Sequence, residues 1–136
     1  MMISTKGRYA LRVLIYLGEN AGDKLIPLKE IAADQEISLK YLERIMTMLS
    51  KADFVESLHG KGGGYKLKYP PEHYTLLSIL ELTEGTLAPV ACLEPKENPC
   101  ERKYKCRTLP IWQDLHKCIN DHLEKITLAD VLKPEK

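Results

Sequence analysis

Three cysteines stand within fifteen residues, spaced Cys92-x7-Cys100-x5-Cys106. Thiolates are soft donors that suit iron–sulfur clusters, zinc and cuprous copper. Thiols that hold no metal also react with oxidants. The residues from Pro89 to Arg107 follow neither a helical nor a strand period and include Pro95 and Pro99. No regular structure therefore opposes convergence of the three thiols on one centre. The tight Cys-x2-Cys pairs of structural zinc sites are absent. On residue types alone the trio is a metal site or a thiol sensor. Cys118, twelve residues on, falls near the apolar stripe of a long helix and reads as a small buried hydrophobe.

A second group of candidate side chains precedes the cysteines. Ser38 is placed to cap a helix by accepting a backbone N–H. Leu39, Leu42, Ile45, Met46 and Leu49 then form its inward face, which leaves Lys40, Tyr41, Glu43, Arg44, Thr47 and Lys51 outward. A shorter helix around Leu28, Ile31 and Ala32, begun by Pro27 and broken at Glu36-Ile37, makes the pair a helix-turn-helix. A recognition helix docks its N-terminal end in the major groove, so Ser38, Lys40, Tyr41, Glu43 and Arg44 are the expected DNA contacts. Lysine and arginine can neutralise phosphate or reach guanine acceptors. A carboxylate such as Glu43 is costly near phosphates unless it accepts from a cytosine amino group.

The elements that must hold these residues are legible around them. Tyr9, Ala10, Val13, Leu14 and Leu17 mark a helix from Thr5 to about Asn20, and Leu11 and Ile15 widen its apolar girth, which calls for two partners. Ala21-Gly22-Asp23 reads as a loop. Phe54 to Leu58 and Tyr65 to Tyr69 alternate as strands around His59-Gly60-Lys61-Gly62-Gly63-Gly64, a wing with a glycine tip. His59 and Lys61 are its candidate DNA contacts. Tyr74 to about Thr83 gives a fourth helix, stopped near Gly85. Trp112, Leu115, Ile119, Leu123 and Ile126 stripe a long helix, and Thr127 with Asp130 caps a last short one.

The fold class expected is mainly α with a small β-hairpin wing, within one compact domain. Residues 1–70 form the DNA-binding region, and residues 71–136 form the thiol loop and the closing helices. The chain has 136 residues, 44% hydrophobic and 29% charged, with a net charge of +1. Eleven Lys and Arg against eight Asp and Glu leave residues 1–70 at +3, while nine against eleven leave the rest at −2. That asymmetry is small, so DNA binding must rest on local patches. No apolar run is long enough to span a membrane. Lys6, Arg8 and Arg12 in a helical pattern, with no small-residue cleavage site, argue against a signal peptide. A cytoplasmic location with reduced thiols is expected. No Ser/His/Asp set, acid pair or phosphate-binding loop is present, so the chain is not read as an enzyme.

Three segments in register, Ser4-Thr5-Lys6-Gly7-Arg8-Tyr9-Ala10, Ile37-Ser38-Leu39-Lys40-Tyr41-Leu42-Glu43 and Gly60-Lys61-Gly62-Gly63-Gly64-Tyr65, resemble the Rrf-two family of winged helix-turn-helix transcription regulators. The likeness runs from about Met2 to Leu132 and is strongest to the family's iron–sulfur-cluster regulators. It implies homodimers on partly palindromic double-stranded DNA operators, with the long helix (about Pro110 to Lys125) pairing across the dimer. It also implies that Cys92, Cys100 and Cys106 hold an iron–sulfur cluster, a 2Fe-2S form favoured and a 4Fe-4S form open. In those regulators a histidine three residues past the last cysteine is the fourth ligand; here that position is Leu109. Nitric-oxide sensors of the family use an aspartate near the N-terminus, where this chain reads Gly7-Arg8-Tyr9. Cys118, His116, a carboxylate or a small molecule remain open as fourth ligand. His59 stands where an arginine usually precedes the wing tip, and Lys61 where proline is frequent. The rival readings are a nitric-oxide or redox-sensing repressor and a cluster-free thiol-responsive regulator.

Overall fold

Helix α1 (Thr5–Asn20) lies at the centre of the computed structural model, which describes residues 2–20, 24–94 and 100–133. Ala10, Val13, Leu14 and Leu17 on α1 are buried, while Tyr9, Leu11 and Ile15 are partly covered. That girth is used as expected: α1 packs on α2 (Leu28–Gln35), α3 (Leu39–Lys51), α4 (Leu76–Glu84), α6 (Leu128–Leu132) and strand β2 (Gly64–Leu67). A fully buried leucine or isoleucine stabilises by about 1.5–3 kcal/mol over leaving it exposed, so the shared core around α1 binds these elements into one body. The expected loop at Ala21-Gly22-Asp23 lies outside the described residues, as do Pro95 and Pro99.

Helix α2 begins after Pro27 and ends where Glu36 takes a left-handed conformation, φ 54°. That turn sends the chain into α3, whose cap is Ser38: its hydroxyl accepts the Tyr41 N–H at 3.2 Å. Leu42, Ile45, Met46 and Leu49 are buried as the period predicts. Leu39 is not. It is 40% exposed, because the first residue after the cap stands beyond the core that the later turns cover.

Strands β1 (Val55–Leu58) and β2 pair antiparallel, with Val55 opposite Leu67 and Leu58 opposite Gly64. A third strand-like contact at Ile26 carries no alternation that a sequence could betray: Ile26 and Tyr65 exchange both backbone hydrogen bonds, at 2.9 and 2.8 Å. Gly64 makes that approach feasible. A Cβ there would lie 2.4 Å from the Ile26 carbonyl oxygen, at a backbone φ of 153°. Tyr74 ties the hairpin to the following helix. Its buried ring meets Phe54 edge-on, its hydroxyl donates to the Phe54 carbonyl at 2.5 Å, and the same oxygen accepts the Tyr69 N–H at 3.1 Å.

Thr75 caps α4 by accepting the Ser78 N–H at 3.0 Å, and Gly85 closes the helix. The long connection that follows includes a short 3-10 turn at Ala91–Leu93, where a loop without structure was expected. Helix α5 (Leu109–Glu124) packs on α4 but buries none of its residues. Ile111 and Leu115 are exposed, while Trp112, Ile119 and Leu123 are half-covered. The chain then returns to the core. Leu76 donates its N–H to the Ile126 carbonyl and Leu128 donates to the Tyr74 carbonyl, each at 2.8 Å. Thr127 and Asp130 form the reciprocal capping box of α6, and Leu128 is buried behind it.

Candidate nucleic-acid interface and thiol segment

The side chains expected to read DNA occur together because the Ser38 cap fixes where α3 starts. Lys40, Glu43, Arg44 and Thr47 line one shallow depression, and Tyr41 and Ser38 line a second with Thr5, Tyr9, Glu36 and Ile37. Ser38, Lys40, Glu43 and Arg44 are exposed and Tyr41 is half-covered. Among the described residues none of Lys40, Glu43 and Arg44 is spent in a salt bridge. Thr47 turns its hydroxyl back onto the Glu43 carbonyl at 2.8 Å. The face thus carries two cations, one anion and the first-turn amides of a helix, a set suited to phosphates and base edges.

Tyr41 is held from the side. Its ring meets Tyr9 of α1 edge-on at 5.8 Å, and the Arg12 guanidinium lies 5.0 Å from the Tyr9 ring. Arg12 also donates from Nε to the Gln35 side chain at 3.1 Å and from a terminal nitrogen to the Gln35 carbonyl. The spacing of apolar residues gave no sign of this packing. Tyr9 counts there only as one more member of a stripe.

At the wing, His59 and Lys61 are exposed on either side of Gly60, with the tip closed by a Gly63 N–H to Gly60 carbonyl bond at 3.0 Å. Leu58, before the tip, is 58% exposed. Lys66 and Lys68 on the ascending side are instead paired with Glu56 and Asp53. Of the hairpin's three lysines, Lys61 at the tip is the one outside a salt bridge among the described residues.

The thiols lie on the connection between α4 and α5. Cys92 sits half-covered in the 3-10 turn, Cys100 is exposed, and Cys106 stands partly covered just before α5. None of the four cysteines forms a disulfide. Thr108 Oγ1 lies 3.3 Å from Sγ of Cys106. That hydrogen bond, followed by the amides of Thr108 and Leu109 and the charge of Arg102, holds the Cys106 thiol below the usual cysteine range. The amides are those that α5 leaves without helical partners at its start. Among the described residues no three His, Cys, Asp or Glu side chains are gathered around one point as a metal would need. The trio is a donor set of the right chemistry rather than an assembled centre. Leu109, the first residue of α5, offers no donor atom. Cys118 is exposed in the single chain, so any burial of it has to come from outside the chain.

Residues 3–134 match the family described as Rrf2, iron-dependent transcriptional regulator. An HTH-type transcriptional regulator of Neisseria meningitidis serogroup A is 37% identical over 133 residues, which is 98% of this chain and 88% of the relative. Among solved structures, CymR of B. subtilis, named the global cysteine regulator, is 34% identical with a TM-score of 0.77, covering 97% of this chain and 96% of its own. The T. potens IscR is 30% identical with a TM-score of 0.74, covering 97% and 86%. Both likenesses extend over nearly the whole winged-helix fold, and the family acts on DNA without catalysing a reaction. The chain belongs to the Rrf2 family and is a DNA-binding winged-helix transcription regulator, not an enzyme.

Proposed function

We propose that the chain is a cytoplasmic, homodimeric regulator whose grip on an operator follows an iron–sulfur cluster held by Cys92, Cys100 and Cys106. The observation that carries this reading is the confinement of three thiols to the single connection between α4 and α5, with the last of them hydrogen-bonded to Thr108 at the start of α5. When bound, a cluster supplies a centre whose presence and charge follow iron supply and oxidation. Residues 1–70 read DNA through Ser38, Lys40, Tyr41, Glu43 and Arg44, with His59 and Lys61 at the wing. Residues 71–136 sense and pair. The exposed stripe of Ile111 and Leu115 on α5 suits a second copy of the same helix. The two-iron form is the favoured cluster. With Leu109 at the first turn of α5, the fourth ligand comes from Cys118, His116, a carboxylate or a small molecule.

Protein purified without oxygen is expected to contain iron and acid-labile sulfide and to absorb in the visible, and each of Cys92→Ser, Cys100→Ser and Cys106→Ser is expected to lose that absorption. Loaded and stripped forms should differ in operator affinity. Colourless protein with stoichiometric zinc, or with neither metal nor sulfide, overturns the reading.

A cluster-free thiol sensor is the second reading, favoured by the spread of the thiols and by the fold shared with a cysteine regulator. In that case operator affinity changes with oxidant or small thiols while iron stays absent. A nitric-oxide sensor, the third, loses DNA at low doses of nitric oxide, to which a cluster-supply sensor need not respond.

A further inference from the structure

We propose that Glu84 and Ser4 are positioning residues for DNA reading: they latch the end of α4, where the cysteine connection begins, to the helix that supports Tyr41 of the recognition helix. The segment Ser4-Thr5-Lys6-Gly7 resembles its family's N-terminus, yet of these residues Thr5 alone borders the reading face, in the depression it shares with Ser38 and Tyr41. Its geometry gives it work. The Glu84 carboxylate accepts the Ser4 N–H at 2.5 Å and the Ser4 hydroxyl at 2.7 Å. The same hydroxyl oxygen accepts the Gly7 N–H at 3.0 Å, and the Ser4 carbonyl accepts the Arg8 N–H at 3.0 Å. Ser4 therefore caps α1 while Glu84 orients the cap.

Gly7 lets the two helices meet. It is buried, and a Cβ there would stand 3.0 Å from both the Glu84 carboxylate and the Thr83 hydroxyl. Glu84 is half-buried and among the described residues has no cation in salt-bridge range, so the Ser4 donors are what satisfy it. Loss of those donors leaves a partly desolvated carboxylate, which makes the latch close in one geometry rather than several.

One turn further along α1, Tyr9 meets Tyr41, and Arg12 ties Tyr9 to Gln35 at the end of α2. The contacts are continuous: Gly85 and its connection, Glu84, Ser4, α1, Tyr9, Tyr41. A shift of the α4 end moves the cap of α1, and the Tyr9 ring carries that displacement to the start of the recognition helix. Contact alone is not coupling, so the test measures coupling.

The effect of the latch on DNA reading is independent of the cluster, and only a drive of the latch from the cysteine connection rests on the function proposed above. The experiment uses full-length protein purified without oxygen and an operator duplex selected by the wild type from a randomised pool, with a scrambled duplex as control. Glu84→Gln turns one of the two carboxylate oxygens into an N–H2, so one of the two Ser4 donors loses its acceptor, and Tyr9→Leu removes the ring contact. Each is expected to weaken operator binding about tenfold while scrambled binding is unchanged, and the double variant is expected to lose no more than either single one. Additive losses, or a Glu84→Gln protein with wild-type selectivity, overturn the proposal. Should Glu84→Gln fail to fold, Ser4→Ala with Tyr9→Leu forms the same cycle, and Glu84→Asp, which keeps the acceptors, is expected to recover part of the selectivity. Retention of the cluster spectrum in these variants, read separately, tells failure of the latch from failure of the cluster reading.

Discussion

Glu43 stands between Lys40 and Arg44 on the face proposed to read DNA, and among the described residues it forms no salt bridge. In the proposed interface its use is selectivity, at some cost in affinity. Glu43→Ala is expected to tighten binding to scrambled duplex and to reduce operator discrimination by about 1–3 kcal/mol, measured as the ratio of the two dissociation constants by fluorescence anisotropy. Tyr74 gives a stability counterpart. Tyr74→Phe keeps the ring but strands the Phe54 carbonyl and the Tyr69 N–H, so a loss of about 1–3 kcal/mol in urea unfolding is expected. Residues with local causes were legible in the sequence. Ser38 caps because the next turn offers it an amide, and the outward set of α3 follows from the inward one. Leu39 was misassigned because a period does not say where the core stops. The Cys106 environment was out of reach for another reason: it depends on α5 beginning at Leu109, and thus on which amides are left pointing at the thiol.

Among the elements, those with a repeating pattern were read nearly to their ends: α1, α2, α3, both strands, α4 and α5. The Ile26–Tyr65 bridge and the turn at Ala91–Leu93 are each too short to repeat anything. Helix α6 shows what a cap contributes when a helix has only five residues. The Thr127 amide foremost, then the Lys133 ammonium and the Thr127 hydroxyl, hold the Asp130 carboxyl below the usual aspartate range. Because its folded-state pKa is depressed, the contribution is complete above the unfolded aspartate value, about 3.9, and disappears as pH falls through the folded one. Acid is thus expected to loosen α6 and the antiparallel backbone bridge between Thr127 and Thr75 below about pH 4, before the core opens. Circular dichroism on acid titration reads this, and Asp130→Asn should flatten the early part of the transition.

For the whole molecule, the chain has one well-filled core and one long helix outside it. That helix has no fully buried residue within the chain, as its apolar stripe left open from the start, since a stripe states that it wants cover and not whose. If a second copy supplies the cover, Leu115→Glu is expected to shift sedimentation to the monomer and to weaken operator binding at least tenfold, because two half-sites are then no longer read together. An unchanged sedimentation coefficient would remove α5 as the seam. The placement of the thiols also belongs to this scale: sequence distance brings Cys92, Cys100 and Cys106 into one connection, whereas spacing does not gather them at one point, and among the described residues they are not gathered.

Trp112 is the only tryptophan in the chain, and it is half-covered on α5, six residues beyond Cys106 and beside the exposed Ile111. The protein therefore carries an intrinsic fluorophore where the proposed sensing and pairing surfaces adjoin. A visible-absorbing centre held nearby would drain its emission, and burial against another chain would shift that emission to shorter wavelength. Both events can be timed in unlabelled protein, in one cuvette, from the light of a single indole.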